Sequence, residues 1–386
     1  MVLATAIGKP ATEIIDREEE ITSLTDNLSD PSKHINYALI GPRRIGKTTI
    51  LLKVKHELEK KGIITVYVDL SVYKFSPYDF AQNVMSQITK TYAKDLGKIE
   101  KATTTVINLL KTLTKLKKLR LTLEPTVDEQ GQFSIQIRPE LEETQDYRSL
   151  FLLAFDYANE ISKKAGKRIV MIIDEFPSLI EFKHYPKLAA TNELFRSILE
   201  TRANVEYVVS GSRVHFMKTI LGNGESPLFG HFIIMEIKPL PHEHAVQLFT
   251  KTAKTSRQEA ENAYTLVGGH PYYLIMLAEN RKPNETLQQT YQRILTTSTG
   301  ALNLYVNYIL KEDLGSSTKE TRLLRILQAI AQEKNTAARI AKHAKLKLSS
   351  LPYYLQELEK YDLTQRNNGT YTIKDKTIKD YFTTAE

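Results

Sequence analysis

The 386-residue sequence contains no cysteine and no tryptophan. Without thiols there are no disulfides, no thiolate metal sites and no cysteine nucleophile, and thiol usage says nothing about redox compartment. No apolar run approaches the roughly 20 residues that a membrane span needs. The mildly apolar start from Met1 to Ile7 lacks the basic segment and the length of a signal peptide, so the expected address is the cytoplasm, with no membrane partner. There is no internal repeat and no low-complexity tract. What is present, 41% hydrophobic and 25% charged residues, describes an ordinary folded chain. Its length predicts two or three domains.

Charge of one sign is in excess: 53 basic against 45 acidic residues gives a net +8, which makes a polyanionic partner worth testing. The excess is local. Lys98 to Arg120 carries seven basic residues against Glu100 alone, and Ser317 to Glu386 carries 13 basic against 8 acidic residues. The remainder is slightly acidic.

The first third alternates strand and helix. Tyr37 to Ile40 is a short apolar run that enters a glycine-containing loop, and Ile50, Leu51, Val54 and Leu58 then recur at helical spacing through Lys47 to Lys60. Ile63 to Leu70 reads as a second strand and Pro77 to Tyr92 as a helix. A further helix is expected from about Thr144 to Gly166. The run Ile169 to Ile173 reads as a central parallel strand covered on both faces, followed by strands at Val205 to Val209 and Phe232 to Ile237. Leu119 to Arg138 alternates around Asp128 to Gln132, a hairpin signal inserted among the core strands. In Lys98 to Arg120, the spacing of Val106, Leu109, Leu110, Leu113 and Leu116 predicts one buried helical face, with the lysines on its solvated side. From His242 to Glu312 the pattern is helical throughout. After Gly315-Ser-Ser317 come three helices and two short strands around Asn367-Asn-Gly369, the order of a winged helix-turn-helix.

Gly41-Pro42-Arg43-Arg44-Ile45-Gly46-Lys47-Thr48, followed by Thr49, matches the Gly-x4-Gly-Lys-Ser/Thr phosphate loop and stands between a strand and a helix, as that chemistry requires. Successive backbone N–H groups and the helix N-terminus make an anion nest. Lys47 would reach the β- and γ-phosphates, and the Thr48 hydroxyl would face Mg2+. ATP and Mg2+ are thus the expected ligands. Asp174 at the carboxyl end of Ile169 to Ile173 suits the metal-side carboxylate, and Glu175 suits a general base for water. Ser210 in Ser210-Gly-Ser212 is the first candidate to sense the γ-phosphate or hold the attacking water, the alternative being a plain strand-end turn.

These motifs, with Pro227-Leu-Phe-Gly230 and Gly268-Gly-His-Pro271, resemble the archaeal ATPase family, P-loop proteins related to the STAND signalling ATPases and more distantly to origin-recognition AAA+ initiators. The resemblance spans nearly the whole chain. It implies an α/β fold: a P-loop NTPase parallel sheet flanked by helices over 1–238 with a basic hairpin insert at about 98–140, a helical lid over 239–314 and the winged helix over 315–386. It also implies that the segment Ile14-Ile-Asp16-Arg17-Glu18-x-Glu20 lies against the nucleotide base, although Asp16 stands where relatives often carry glycine, and that Pro271 touches adenine from the lid. Relatives commonly follow Pro-Leu-Phe-Gly with arginine, whereas here the residue is His231, which predicts slow hydrolysis or another residue in that role; Arg213, Arg202 and Arg196 are candidates. The function expected is a nucleotide-dependent ATPase switch, with double-stranded DNA or a protein held through the winged helix. The presumed recognition helix, Ser349 to Lys360, offers Tyr353, Tyr354 and Gln356 to bases but also carries Glu357 and Glu359. That acidity favours the alternative of a signalling scaffold with little turnover and a protein partner. A P-loop kinase fits less well, because no acceptor site or mobile basic lid is evident. Oligomeric state is not legible.

Overall fold

A computed structural model describes residues 14–71, 76–96, 99–117, 119, 121–127, 133–139, 146–314 and 318–384. The turn expected at 128–132, the domain boundary at 315–317 and three of the basic residues, Lys98, Lys118 and Arg120, lie outside the described residues.

Nine strands are described: β1 (Tyr37–Ile40), β2 (Ile64–Asp69), β3 (Leu121–Val127), β4 (Phe133–Pro139), β5 (Ile169–Asp174), β6 (Val205–Gly211), β7 (Ile233–Glu236), β8 (Thr364–Asn367) and β9 (Thr370–Ile373). Five of them form a wholly parallel sheet in the order β2-β5-β6-β1-β7. Strands β5 and β6 are buried along their whole length, which is why they read as unbroken apolar runs. Within β5 the side chains still alternate. Ile169, Met171 and Ile173 enter an aromatic-rich cluster under helices Pro77–Leu96 and Tyr147–Ala165, while Val170 and Ile172 face helices Glu18–Ser29 and Lys47–Lys60. Both faces of the sheet are thereby covered, and the carboxyl ends of β1, β2, β5 and β6 open onto one edge, the usual ligand position in such sheets.

Local signals set most boundaries. The helix expected from about Thr144 begins at Tyr147, because the Asp146 side chain accepts from the Ser149 N–H as its N-cap, and Gly166 ends it in the left-handed region. In helix Ile99–Leu116 the predicted face is buried at Val106, Leu109, Leu110 and Leu113, but Leu116 is 74% exposed, so the stripe ends one turn early. Lys111 and Lys115 are exposed, and Lys117 pairs with Asp156 at 2.5 Å. Strands β3 and β4 form an antiparallel hairpin running along helix Pro77–Leu96.

Beyond β7 the chain is helical until β8. A single apolar cluster runs from Leu240 to Phe382, joining the helices of 242–314 to helices Thr318–Ala331, Ala337–Ala344 and Leu351–Lys360 and to the β8–β9 hairpin. Asn368 and Gly369 both take positive φ in the hairpin turn. A last helix, Lys376–Thr384, was not anticipated; Asp375 starts it by accepting the Thr377 and Ile378 N–H groups. Among the described residues no helix is long and apolar enough to cross a membrane.

Candidate active site

The loop between β1 and helix Lys47–Lys60 places its residues by backbone conformation. Gly46 has φ +108°, which side chains rarely adopt, and Arg44 has φ +58°. Ile45 is anchored in the core cluster under helix Lys47–Lys60, which pins the loop from one side. Lys47 is buried and its Nζ donates to the carbonyls of Gly41 and Pro42 at 2.8 and 2.9 Å. Burial pulls its ammonium pKa down, opposed by Glu175 and Asp174. Thr49, two residues on, is half-buried on the helix.

Thr48 and Asp174 are 126 residues apart in sequence, yet the threonine hydroxyl donates to Oδ2 of Asp174 at 2.6 Å. A hydroxyl beside a carboxylate oxygen at a phosphate loop is the hard-oxygen donor set that Mg2+ takes together with phosphate and water, so these two residues fit that ion. The Tyr67 hydroxyl donates to the same Oδ2 at 2.8 Å, and the Glu175 N–H and Ser210 hydroxyl both donate to Oδ1. Glu175 has φ +58°, a backbone state that turns its side chain toward the Ser212 hydroxyl, which donates to Oε1 at 2.9 Å. Arg43, Arg44, Lys47, Thr48, Asp174, Glu175 and Ser212 all line one cavity of about 1080 Å³.

Ser210 does not hold the place expected of it. It is fully buried and serves the backbone and carboxylate behind the site; the serine that reaches the cavity is Ser212, two residues on and on the same side of the extended chain. Sequence pattern alone did not separate the two.

A family model described as an ATPase domain predominantly from Archaea matches residues 14–277. The chain belongs to this archaeal ATPase family. Among solved structures, the Walker-type ATPase PABY2304 of Pyrococcus abyssi superposes with a TM-score of 0.66 at 19% identity, over 99% of this chain and 100% of that one. The ORC2 protein of Aeropyrum pernix, in its ADPNP–ADP complexes, superposes with a TM-score of 0.54 at 12% identity, over 96% and 95% of the two chains. At these identities both similarities speak for the fold. A search of curated proteins finds no match.

The other positions that the archaeal ATPase family suggested divide in two. Arg17 is buried and donates to the carbonyl of Lys238, in the segment after β7, while Asp16 faces His244 at 3.2 Å. The Leu240 N–H of that segment donates to the Gly269 carbonyl at 2.8 Å, and a Cβ on Gly269 would meet the Leu240 carbonyl at 2.0 Å, so only glycine fits. Pro271 begins the next helix, half-buried. The N-terminal segment, the segment after β7 and Gly268-Gly-His-Pro271 therefore meet, although neither Arg17 nor Pro271 lines the phosphate-side cavity. His231 faces Glu200 at 3.8 Å at the start of β7, the end of the sheet opposite the phosphate loop. Arg202 is held by Asp156 at 2.7 Å, and Arg196 pairs with Glu200 at 2.7 Å. Of the three arginines only Arg213 lines the cavity.

One contact set had no sequence signal. The Arg43 carbonyl accepts from His270 Nε2 at 3.1 Å and from the Tyr305 hydroxyl at 3.3 Å, and the Arg43 side chain pairs with Glu312. The Arg44 guanidinium lies over both the Tyr272 and the Tyr305 ring, 4.2 and 4.4 Å from their centroids, which are 4.5 Å from each other. Burial, as the main cause, lowers the His270 pKa to about 4, so the imidazole is neutral as it grips the loop.

Proposed function

We propose that the chain binds ATP with Mg2+ and hydrolyses it to ADP and phosphate, and that the cycle switches the position of its C-terminal half. The observation that carries this reading is the meeting of Lys47, Thr48, Asp174 and Glu175 in one cavity. The loop N–H groups and Lys47 bind the phosphates, releasing the ammonium from its two loop carbonyls. Thr48 and Asp174 would hold Mg2+, which would supply charge neutralisation at the phosphates. Glu175 takes a proton from the attacking water, and Ser212 keeps its carboxylate turned toward that water. Arg213 lines the same cavity and would meet charge developing on the γ-phosphoryl group. The ADPNP–ADP complexes of the ORC2 protein support a nucleotide in this fold. The segment around Arg17 and the turn at Pro271 would enclose the base. Isothermal titration of ATP into the wild type and Lys47→Ala tests the reading: micromolar binding lost in the variant supports it, and equal binding contradicts it.

Within this reading the chain divides into an ATPase unit (1–238), a lid (239–314) and a winged helix (315–386). Arg339, Lys342, Lys345 and Lys347 are exposed and carry no ion pair among the described residues, which suits duplex phosphates. Tyr353 and Gln356 are exposed beside them. Tyr354 is buried, its hydroxyl accepting from Arg322 at 2.6 Å, and is no longer a candidate reader. The Glu357 charge is met by Lys319 and Lys360, which softens the acidity of the helix. A second reading, a scaffold with little turnover and a protein partner, is favoured by the lid's hold on the Arg43 carbonyl and by the distance of His231 from the cavity.

A further inference from the structure

Tyr67 lies on β2, next to β5, and its side chain projects between the sheet and helix Lys47–Lys60, packed against the cluster that supports the phosphate-loop helix. Its backbone N–H is held by Gln87 Oε1 at 3.2 Å. The hydroxyl ends 2.8 Å from Oδ2 of Asp174, the oxygen that also accepts from Thr48. Asp174 thus receives two donors on each oxygen, and three of the four, the hydroxyls of Tyr67 and Ser210 and the Glu175 N–H, come from positions that take no part in binding a metal.

We propose that Tyr67 is a positioning residue for the metal-side carboxylate: its hydroxyl fixes the direction in which Oδ2 of Asp174 is presented and so sets the Mg2+ affinity of the nucleotide complex. The inference rests on the ATPase reading above. Coordination through a lone pair of the Thr48 oxygen would leave its proton free to donate to Oδ2 of Asp174, so Tyr67 would be one of two hydroxyl donors that together fix the direction of that oxygen. A phenol suits this task because it donates one directed hydrogen bond from a rigid ring and adds no charge. Partners standing behind metal-oriented carboxylates typically change metal affinity by about 10- to 100-fold when removed.

The test is Tyr67→Phe, which keeps the ring packing and removes one oxygen. Binding of an ATP analogue carrying a fluorescent group on the ribose is measured in EDTA and then across a Mg2+ titration, alongside turnover. The expected result is unchanged affinity in EDTA, a Mg2+ half-saturation point raised about tenfold, and a kcat that approaches the wild-type value at saturating Mg2+. An unchanged half-saturation point overturns the assignment. So does a parallel loss of affinity in EDTA, which would mark a merely structural role. If the wild type binds no analogue, the ATPase reading falls and this assignment with it; if the wild type binds normally and only the Mg2+ shift is missing, the assignment alone falls.

Discussion

Ser212 donates its hydroxyl to Oε1 of Glu175 at 2.9 Å, so the proposed base is held from the end of the neighbouring strand. Glu175 already pays for its orientation with a left-handed backbone, and the serine fixes what the backbone leaves free. Ser212→Ala should lower kcat on the order of tenfold while KM for ATP changes little, since a loosened base costs orientation and not binding. Steady-state kinetics checks this. Ser212→Thr should keep most of the rate.

Ser210→Ala should behave differently. Ser210 is fully buried, and removing its hydroxyl leaves Oδ1 of Asp174 short of a partner. A loss of about 1–3 kcal/mol in folding stability is expected, together with impaired turnover. Urea denaturation distinguishes the two serines, because Ser212→Ala should leave stability nearly unchanged.

Arg44→Ala should loosen the lid. Two ring contacts to Tyr272 and Tyr305 disappear, each worth about 1 kcal/mol. Faster hydrogen exchange in helix Ala301–Leu314 and faster ADP release are the expected readouts. Arg44→Lys should recover only part of the effect, because an ammonium lacks the planar face that a guanidinium presents to both rings.

The buried His270 predicts a pH dependence. Its folded pKa of about 4 lies below the ordinary value of 6.5, so between these limits the unfolded chain binds the extra proton. Stability contributed by this group is therefore present above pH 6.5 and falls as the pH drops toward 4. Between pH 7 and pH 5 the loss should be about 2 kcal/mol. His270→Gln should show a shallower acid limb in pH-dependent thermal melts.

The double substitution Lys342→Glu and Lys345→Glu tests the nucleic-acid surface. Duplex binding at low salt should weaken at least tenfold, and the slope of log affinity against log salt should shrink by about two. Fluorescence anisotropy reads both. No duplex binding by the wild type at low salt would favour the protein-partner reading.

Much of this molecule was legible because its signals are local. The phosphate loop, the uninterrupted apolar run of β5 and the Asn-Asn-Gly turn each state their structure within a few residues. The archaeal ATPase family could accordingly be recognised from motif order, and the family match agrees. What was missed depends on contacts between distant segments. Nothing near Tyr67 points to Asp174, 107 residues away, and nothing in Arg43 foretells a carbonyl shared by His270 and Tyr305. Ser210 and Ser212 share a side of the chain, and the choice between them turns on how far along it the cavity opens, while Leu116 fits a helical stripe that the structure ends before reaching it. Helix Lys376–Thr384 did carry a signal, since Asp375 is a good N-cap.

The central claim is that Glu175 activates water at a site where Lys47, Thr48 and Asp174 hold ATP and Mg2+. The most direct measurement is single-turnover ATP hydrolysis by the wild type and Glu175→Gln, with ATP affinity determined on the same samples. The account predicts that Glu175→Gln binds ATP within a few-fold of the wild type and hydrolyses it at least about 100-fold more slowly. Wild-type hydrolysis by the glutamine variant would contradict it.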